Sequence, residues 1–578
     1  VQKSFFPPLL LTFLLPGVVN ASSLVVNQVG YLSVWPKTAF LVNADKQIKN
    51  AEILDASNRH SVFKLNVESV KKDPQTQDSL QILNFSGFSA SGRYIIKAGE
   101  VESLPFSIGQ DIYQEPLKLL LRSYYLQRCG IAIDDASTGL KHEACHLHDA
   151  VIARTDKAHK AGDAIPSVGG WHDAGDYGKY IASTAVAIGR NLALYEDNPQ
   201  FFNTFRFDIP ETGNAQPDIL DEMRIGLDWM LTMQRSDGAL YRKIGGDAWP
   251  KGLTPDQDKQ KRYVYPLTTA ETAKAAAAWA MASRVYQATQ PEMAAKYLEA
   301  AKLSWRFLET IHEQVFDYKD GDNKGSGPYM YNKTDNDITL TYDWDDRLWA
   351  AVELFIVTKE SRYKKYIEAT LPSAPLNPYE WKDPSALAMT DILFHPALQD
   401  YKSWRILTEK KFTERANKLL ANVAASGYRI ANNRFVWSSN KITAEEGVIL
   451  VYAYRLTKKA AYLDAAVAQL NYILGRNHFN LSFVSGVGTN SVANVSHIYL
   501  SAIKSKLPGL FVGGPNELEQ SNIGPKNLGP LSYIDDARSY ATNEYAIDYN
   551  ASLIGLMGLL LSTPYPTEHT PIMPTHLK

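Results

Sequence analysis

The stretch Gly169-Gly170-Trp171-His172-Asp173-Ala174-Gly175-Asp176-Tyr177-Gly178-Lys179-Tyr180 concentrates the groups best suited to chemistry. Asp173 and Asp176 stand three residues apart and can point into one space. The surrounding glycines let backbone approach a ligand closely. Paired carboxylates suit hydrolysis at an acetal carbon: one polarises water, while a protonated group elsewhere delivers a proton to the leaving oxygen. The competing structural reading has both aspartates capping a helix that starts near Tyr180.

A second polar stretch, Tyr540-Ala541-Thr542-Asn543-Glu544-Tyr545-Ala546-Ile547-Asp548-Tyr549-Asn550, opens the last predicted helix. There Asn543 is a candidate N-cap and Glu544 suits the positive end of the helix dipole, so local composition does not single out Glu544. A third feature is metal-like. The chain has two cysteines, Cys129 and Cys145; His146 follows the second directly, and His172 lies in the glycine-rich loop. Two thiolates and two imidazoles make a closed tetrahedral zinc set. The spacing is not that of a zinc finger, and for two cysteines in an exported chain it favours a disulfide.

These groups must be positioned by 578 residues that are 45% hydrophobic and 21% charged, an ordinary globular composition. The formal charge of −2 shows no basic footprint and gives no support to nucleic-acid binding. Residues 1–21 read as a secretory signal: Lys3, the apolar run Phe5 to Val19, and Val19-Asn20-Ala21 before a cut. Pro7, Pro8 and Pro16 and the shortness of the run argue against a membrane anchor, so the expected location is periplasmic or extracellular. Residues 22–109 carry short apolar segments bounded by turn residues, as in a β-sandwich: 23–29, 38–42, 85–88, 93–97 and 104–108. From 110 to 563 the period becomes helical, with about a dozen helices expected. One begins at the capping box Thr268/Glu271 and runs from Ala270 to Val285. Residues 564–578, rich in proline, read as a flexible tail.

Taken together, these motifs resemble glycoside hydrolase family nine, the inverting β-1,4-glucanases, and in particular bacterial members with an N-terminal immunoglobulin-like domain. Val26-Asn27-Gln28-Val29-Gly30-Tyr31 is similar to the opening strand of that domain, and Gly170 to Tyr180 to the family's aspartate loop. Ile209 to Asn214, Pro217 to Glu222, Tyr472 to Asn477, Gly513 to Asn516 and Asp535 to Glu544 carry the resemblance onward. It implies an (α/α)6 barrel behind the sandwich and a monomer acting on an oligo- or polysaccharide without an organic cofactor. It also implies roles: Asp176 as general base, Asp173 orienting the same water, Glu544 as general acid, and Tyr549 near the reaction centre. It shifts the cysteine reading to a structural zinc on Cys129, Cys145, His146 and His172. It further suggests calcium at Asp343, Asp345, Asp346 and Asp383, hard oxygen donors near a helix start.

One segment departs from the family. Where these cellulases usually carry Pro-His-His-Arg, this chain has Val495-Ser496-His497-Ile498. The site holding the sugar before the scissile bond then lacks the arginine, and Ser496 and His497 become its candidate contacts. Trp344, Tyr379 and above all Trp381, in a proline-rich loop, are candidates for stacking on sugar faces, with a place in the core as the competing and favoured reading for each. The leading expectation is cleavage of β-1,4-glucan or cello-oligosaccharides. The alternatives are an exo-β-glucosaminidase acting on chitosan oligosaccharides, an inactive carbohydrate-binding protein, and a phosphorylase on a similar barrel. Retention of Asp173, Asp176 and Glu544 argues against the last two.

Overall fold

A computed structural model of the chain describes residues 22–566, apart from 45, 313–314, 316–318, 320–321, 323 and 327–341. The expected signal segment and the end of the expected tail lie outside the described residues. Residues 23–108 form nine strands: β1 (Ser23–Val25), β2 (Gly30–Tyr31), β3 (Thr38–Val42), β4 (Asn50–Asp55), β5 (Ser61–Lys72), β6 (Ser79–Asn84), β7 (Gly92–Ala98), β8 (Val101–Glu102) and β9 (Phe106–Ile108). Their order is β1-β3-β6-β5-β4-β7-β9-β2, with β8 on β7. The long β5 joins two halves. Its first part pairs with β4 and its last part with β6, across a register break between Val67 and Val70.

The weak polar–apolar alternation of these strands has a physical cause. Leu24, Val26, Ala39, Leu41 and Leu83 face a core inside the β unit. Their neighbours Val25, Phe40, Val42, Leu80 and Ile82 face the opposite way, into the core of the helical unit. All five residues of β3 are therefore buried, as in a sheet covered on both faces. Segment 85–88, expected as a strand, is instead a turn after β6, closed by Phe88 N–H donating to Phe85 O at 2.9 Å. The opening strand stops at Val25 rather than Val29, because Gln28 N–H donates to Leu474 O of the helical unit.

The helical unit begins with α1 (Gln114–Leu126) and the hairpin β10 (Ile133–Asp135) and β11 (Leu140–His142). Four short strands, β12 (Val151–Ile152), β13 (Lys179–Tyr180), β14 (Leu240–Gly246) and β15 (Arg262–Thr268), form a second sheet in the order β12-β15-β14-β13. Between β13 and β14 lie α2 (Ile181–Asp197), the one-turn α3 (Pro199–Phe202) and α4 (Asp218–Thr232). After β15 come α5 (Thr269–Val285), α6 (Pro291–Glu309), α7 (Trp344–Thr358), α8 (Ser361–Thr370) and α9 (Ser385–Phe394). Then follow α10 (Lys402–Ala425), α11 (Ser439–Thr457) and α12 (Ala460–Ile473). The short α13 (Ile498–Ile503) and α14 (Tyr540–Asn543) precede α15 (Ile547–Ser562).

Two kinds of helix alternate along the chain. α2, α5, α7, α9, α11 and α15 are buried on nearly every side, and charged residues within them pair with one another, as Arg190 of α2 does with Glu445 of α11 at 2.5 Å. α2 packs on α5 and α15, α5 on α7, α7 on α9, and α11 on α15. The alanine run Ala275 to Ala278 of α5 lets these neighbours approach closely. Its first turn is secured by Thr268, whose Oγ1 accepts from Glu271 N–H at 3.1 Å, as the capping box predicts. The second kind buries one stripe. In α10 only Trp404, Thr408, Phe412, Ala416 and Leu419 are buried, a three- and four-residue rhythm against α9, α11 and α12. α4 likewise backs α2, α6 backs α5, α8 backs α7 and α1 backs α15; α12 backs α11, but twelve of its fourteen residues are buried.

Asn27 joins the two units. Its Nδ2 donates to Tyr113 Oη (2.8 Å) and Asn471 Oδ1 (2.9 Å), while its Oδ1 accepts from Val29 N–H (3.0 Å) and Gly30 N–H (3.1 Å). The side chain is fully buried, so its loss strands partners that water cannot reach, at about 1–3 kcal/mol each. Asn27→Ala is therefore expected to destabilise the chain by at least about 2 kcal/mol, read as a lower midpoint in denaturant unfolding; an unchanged midpoint refutes the junction's importance.

Candidate active site

The loop carrying Asp173 and Asp176 is held from behind. His172 N–H donates to Gln127 O (2.8 Å), Asp173 N–H to Gly178 O (2.9 Å), and Ile547 N–H at the start of α15 to Asp173 O (2.8 Å). Lys179 Nζ donates to Ser167 O (2.8 Å) and Gly169 O (2.9 Å) and pairs with Asp149 (2.8 Å), which Arg262 Nε also meets at 2.7 Å. Gly175 lies so close to Ser496 that an added Cβ would stand 2.3 Å from its carbonyl oxygen; only glycine fits.

Neither aspartate caps α2. Its N-cap is Tyr180, which makes no side-chain cap bond. Asp173 Oδ1 accepts instead from Ser183 Oγ. Asp176 Oδ2 accepts from Tyr180 Oη at 2.7 Å, while its buried Oδ1 has no hydrogen-bond partner. Burial raises the Asp176 pKa above the ordinary carboxylate value, opposed by the Tyr180 hydroxyl and the charges of Arg262 and Lys243. Lys243, on β14 opposite Tyr180, is itself pushed down to about 7 by burial and by Arg242.

Glu544 is not in a helix. It forms an extended link between α14 and α15 (φ −74°, ψ 140°), and the N-cap of α15 is Ala546. Its backbone bridges to Ser496, and its carbonyl accepts from Gly513 N–H at 3.0 Å. Asn543, expected as an N-cap, is a hub: Oδ1 accepts from Tyr533 Oη (2.6 Å) and Nδ2 donates to Asn494 O (2.6 Å) and Asp535 (2.8 Å). Ala174 bridges to Ala546, which brings the two loops together. The Glu544 pKa is raised well above its ordinary value by burial and then by the negative charges of Asp176 and Asp173. A proton is thus held on Glu544 beside two groups that compete to be ionised.

Tyr549 Oη accepts from Trp437 Nε1 at 2.8 Å. Beneath it Lys441, fully buried, pairs with Glu380 (2.9 Å) and Asp548 (3.1 Å) and lies 5.6 Å from the Tyr549 ring and 5.9 Å from the half-buried Trp381 ring. Lys441 and Lys243 were missed by sequence reading; a lysine within an otherwise buried helix or strand is the signal that would have found them. Ser496 stays at the Glu544 bridge with its N–H on Asn543 O (2.9 Å). His497 turns inward: its Nε2 meets Gln127 Oε1 at 3.2 Å, its ring stacks on Tyr545, and burial lowers its pKa to about 3. A buried neutral imidazole replaces the sugar-facing contact expected for it. Tyr379 is buried against Trp349 and Arg190 and belongs to the core.

The cysteines are free. Their sulfurs stand 3.9 Å apart, far beyond the ~2.05 Å of a disulfide, which overturns that pairing. Cys129, Cys145, His146 and His172 are all buried, with ligand atoms within 4.8 Å of one another. Tetrahedral zinc, with N at ~2.0 Å and S at ~2.3 Å, requires separations of about 3.3 Å for N–N, 3.5 Å for N–S and 3.8 Å for S–S. His146 Nδ1 and His172 Nε2 are 3.2 Å apart, Cys129 Sγ and His146 Nδ1 3.5 Å, and Cys145 Sγ and His172 Nε2 3.9 Å. The donor set fits a metal ion of that size. Consecutive ligands Cys145 and His146 reach one point because His146 adopts the left-handed backbone region (φ 50°). Burial lowers the His172 pKa to about 4, and a neutral imidazole is what a metal needs.

Of the four aspartates suggested for calcium, Asp345 feels the charges of Asp346 and Asp383. Among the described residues no three of them offer oxygens within 4.8 Å of one another. Lys274 Nζ pairs with Asp346 (2.5 Å), Arg347 with Asp343 (3.1 Å), and Asp383 accepts from Ser385 Oγ (2.6 Å) and Asn377 Nδ2 (2.8 Å). Cationic side chains already stand against two of the carboxylates. Asp345 remains buried, with both oxygens lacking a hydrogen bond.

Comparison with known proteins agrees with this arrangement. Residues 113–557 match the family model described as glycosyl hydrolase family 9, and residues 20–103 match the cellulase N-terminal ig-like domain. Endoglucanase D of Acetivibrio thermocellus is 29% identical over 500 residues, covering 83% of this chain and 75% of that protein. A cellodextrinase of Butyrivibrio fibrisolvens is 29% identical over 570 residues, covering 93% and 99%. The crystal structure of a metagenome-derived glycoside hydrolase family 9 endoglucanase superposes with a TM-score of 0.88 at 39% identity, covering 94% of this chain and all of that one. With its aspartate loop, its glutamate link and the match over most of its length, the chain belongs to glycosyl hydrolase family 9.

Proposed function

We propose that the protein hydrolyses β-1,4-linked glucans or cello-oligosaccharides with inversion of the anomeric carbon. The observation that carries the reading is the pairing of a proton-holding Glu544 with an Asp176 that keeps one buried oxygen unpartnered. Asp176 takes a proton from the attacking water. Asp173, fixed by Ser183, accepts the second hydrogen of that water. Glu544 donates its proton to the leaving glycosidic oxygen, and the repulsion that raised its pKa eases when Asp176 gains the water's proton. Tyr549, Trp381 and Ser496 line the sugar side of this centre. The alternation of six buried and six backing helices supports an (α/α)6 barrel as the scaffold. Zinc on Cys129, Cys145, His146 and His172 would brace the base loop through His172, next to Asp173; bound there, it supplies structural cross-linking only, with no open coordination position.

A second reading, hydrolysis of an amino sugar, draws on segment 495–498. It presents no cationic side chain to the site, since Ile498 replaces the usual arginine and His497 turns inward. Mass spectrometry of products from cellotetraose and from the chitosan tetramer separates the two. Cleavage of cellotetraose is expected; cleavage of the chitosan tetramer alone overturns the glucan reading.

Three outcomes follow from the mechanism. Proton NMR of fresh product should show the α-anomer before mutarotation, and a β-anomer appearing first refutes inversion. Asp176→Asn and Glu544→Gln should each lower kcat by at least about 100-fold while leaving the thermal midpoint near that of the parent; full activity in either removes its assigned role. Lys243 favours the ionised form of Asp176, so Lys243→Met should raise the Asp176 pKa. Because the base must be ionised, the acid limb of kcat/KM then moves to higher pH; a limb that stays or moves lower contradicts this electrostatic role.

A further inference from the structure

The connection between β14 and β15, residues 247–261, reaches the Cys/His group through Asp258. His146 turns Nδ1 toward the sulfurs and His172, and its Nε2 meets Asp258 Oδ2 at 3.3 Å. Both side chains are almost wholly buried. Asp258 is in turn held by its own loop. Gln260 N–H donates to Asp258 Oδ1 (3.2 Å) and Gln260 Nε2 to Asp258 Oδ2 (3.0 Å). The same Gln260 closes the loop's neck on Ala248, its Oε1 accepting from Ala248 N–H (3.0 Å) and its Nε2 donating to Ala248 O (3.0 Å). Farther along, Leu253 O accepts from Tyr177 Oη of the base loop at 2.7 Å. Between these two anchors the loop displays Trp249, 41% exposed.

We propose that Asp258 is the positioning residue of the metal group: it accepts a hydrogen bond from Nε2–H of His146, which fixes Nδ1 as the ligand atom and ties loop 247–261 to the centre. The inference rests on the Cys/His group holding zinc. A carboxylate behind a ligating imidazole locks the tautomer and ring orientation and strengthens the ligand, and its loss weakens metal binding about 10- to 100-fold. The loop that presents Trp249 and the loop that presents Asp173 and Asp176 then share one cross-link, the first through His146 and the second through His172.

The test is zinc affinity of the full chain by competition with a chromophoric chelator, for the parent, Asp258→Ala and Asp258→Asn. Asp258→Ala should bind zinc about 10- to 100-fold more weakly. Asp258→Asn, whose amide oxygen can still accept from Nε2–H, should recover part of that loss; should the alanine variant not fold, the asparagine variant must still bind zinc more weakly than the parent. The cobalt-substituted parent and Asp258→Ala should differ in their visible absorption, as a reoriented imidazole requires. In the parent, zinc removal should speed hydrogen exchange across 247–261. Parent-like affinity in the alanine variant, or unchanged exchange in the loop, overturns the inference while leaving the zinc centre intact. A parent chain that holds no zinc at all overturns the centre itself.

Discussion

Repulsion among three carboxyl groups crowded into one buried pocket is the constraint on which the molecule turns. Glu544, whose pKa is pushed well up by burial and then by the negative charges of Asp176 and Asp173, keeps its proton. That arrangement supplies an acid and a base side by side at one pH, and it is costly. The fold offsets the cost by fixing the loops from every direction. Hydrogen bonds from Ser183 and Tyr180 stabilise the two aspartates. Lys179, Asp149 and Arg262 hold the loop backbone from behind. Gly175 packs directly on Ser496. The base loop and the acid link are even joined to each other, through Ile547 N–H and the bridge from Ala174 to Ala546.

Such fixing requires a rigid frame. Helices buried on nearly every side provide it, because their side chains are packed by neighbours all round and cannot relax outward. The cleft groups stand where these helices begin: the base loop ends at α2 and the acid link runs into α15, two helices that pack on each other. A shift of either helix would therefore move acid and base together. The same interior tolerates paired charges where they are needed. Lys441 sits between Glu380 and Asp548 below the Tyr549 and Trp381 rings, and Asp548 adds its charge to those that raise the Glu544 pKa.

Much of this was legible in the sequence, and the limits are physical. Helices with a strong period or a cap were found nearly to the residue, as with α5 behind Thr268 and Glu271. α10 begins at Lys402, earlier than the helical period the sequence shows over 410–426, because Ile406 is exposed and blurs its single apolar stripe. The strands β4, β5 and β6 escaped notice: β5 is mostly exposed, with Leu65 alone buried among its described side chains, and β6 is buried on both faces, Leu80 and Ile82 toward one core and Leu83 toward the other, so it does not alternate. In the site, motif resemblance pointed to residues whose local pattern is silent: Glu544 looks like the start of a helix, and Cys129 and Cys145 look like a disulfide. Tyr180, Ser183, Lys243, Lys441 and Asp258 were not legible. Their importance comes from neighbours brought close only by folding, as when Lys441 meets Asp548, 107 residues away.

The Asn27 junction bears on the order in which the chain can fold. Asn27 stands near the beginning, and its partner Asn471 lies 444 residues later. Gln28 likewise meets Leu474, Asn480 and Asn490. During synthesis the first strand is thus present long before the segment that must receive it. The face of the β unit carrying Val25, Phe40, Val42, Leu80 and Ile82 has no complete partner in that interval. Closing so long a loop is slow, and an apolar sheet face left uncovered invites association with other chains. The early unit therefore has to survive as an incomplete half, and the last third of the chain acts as its cover.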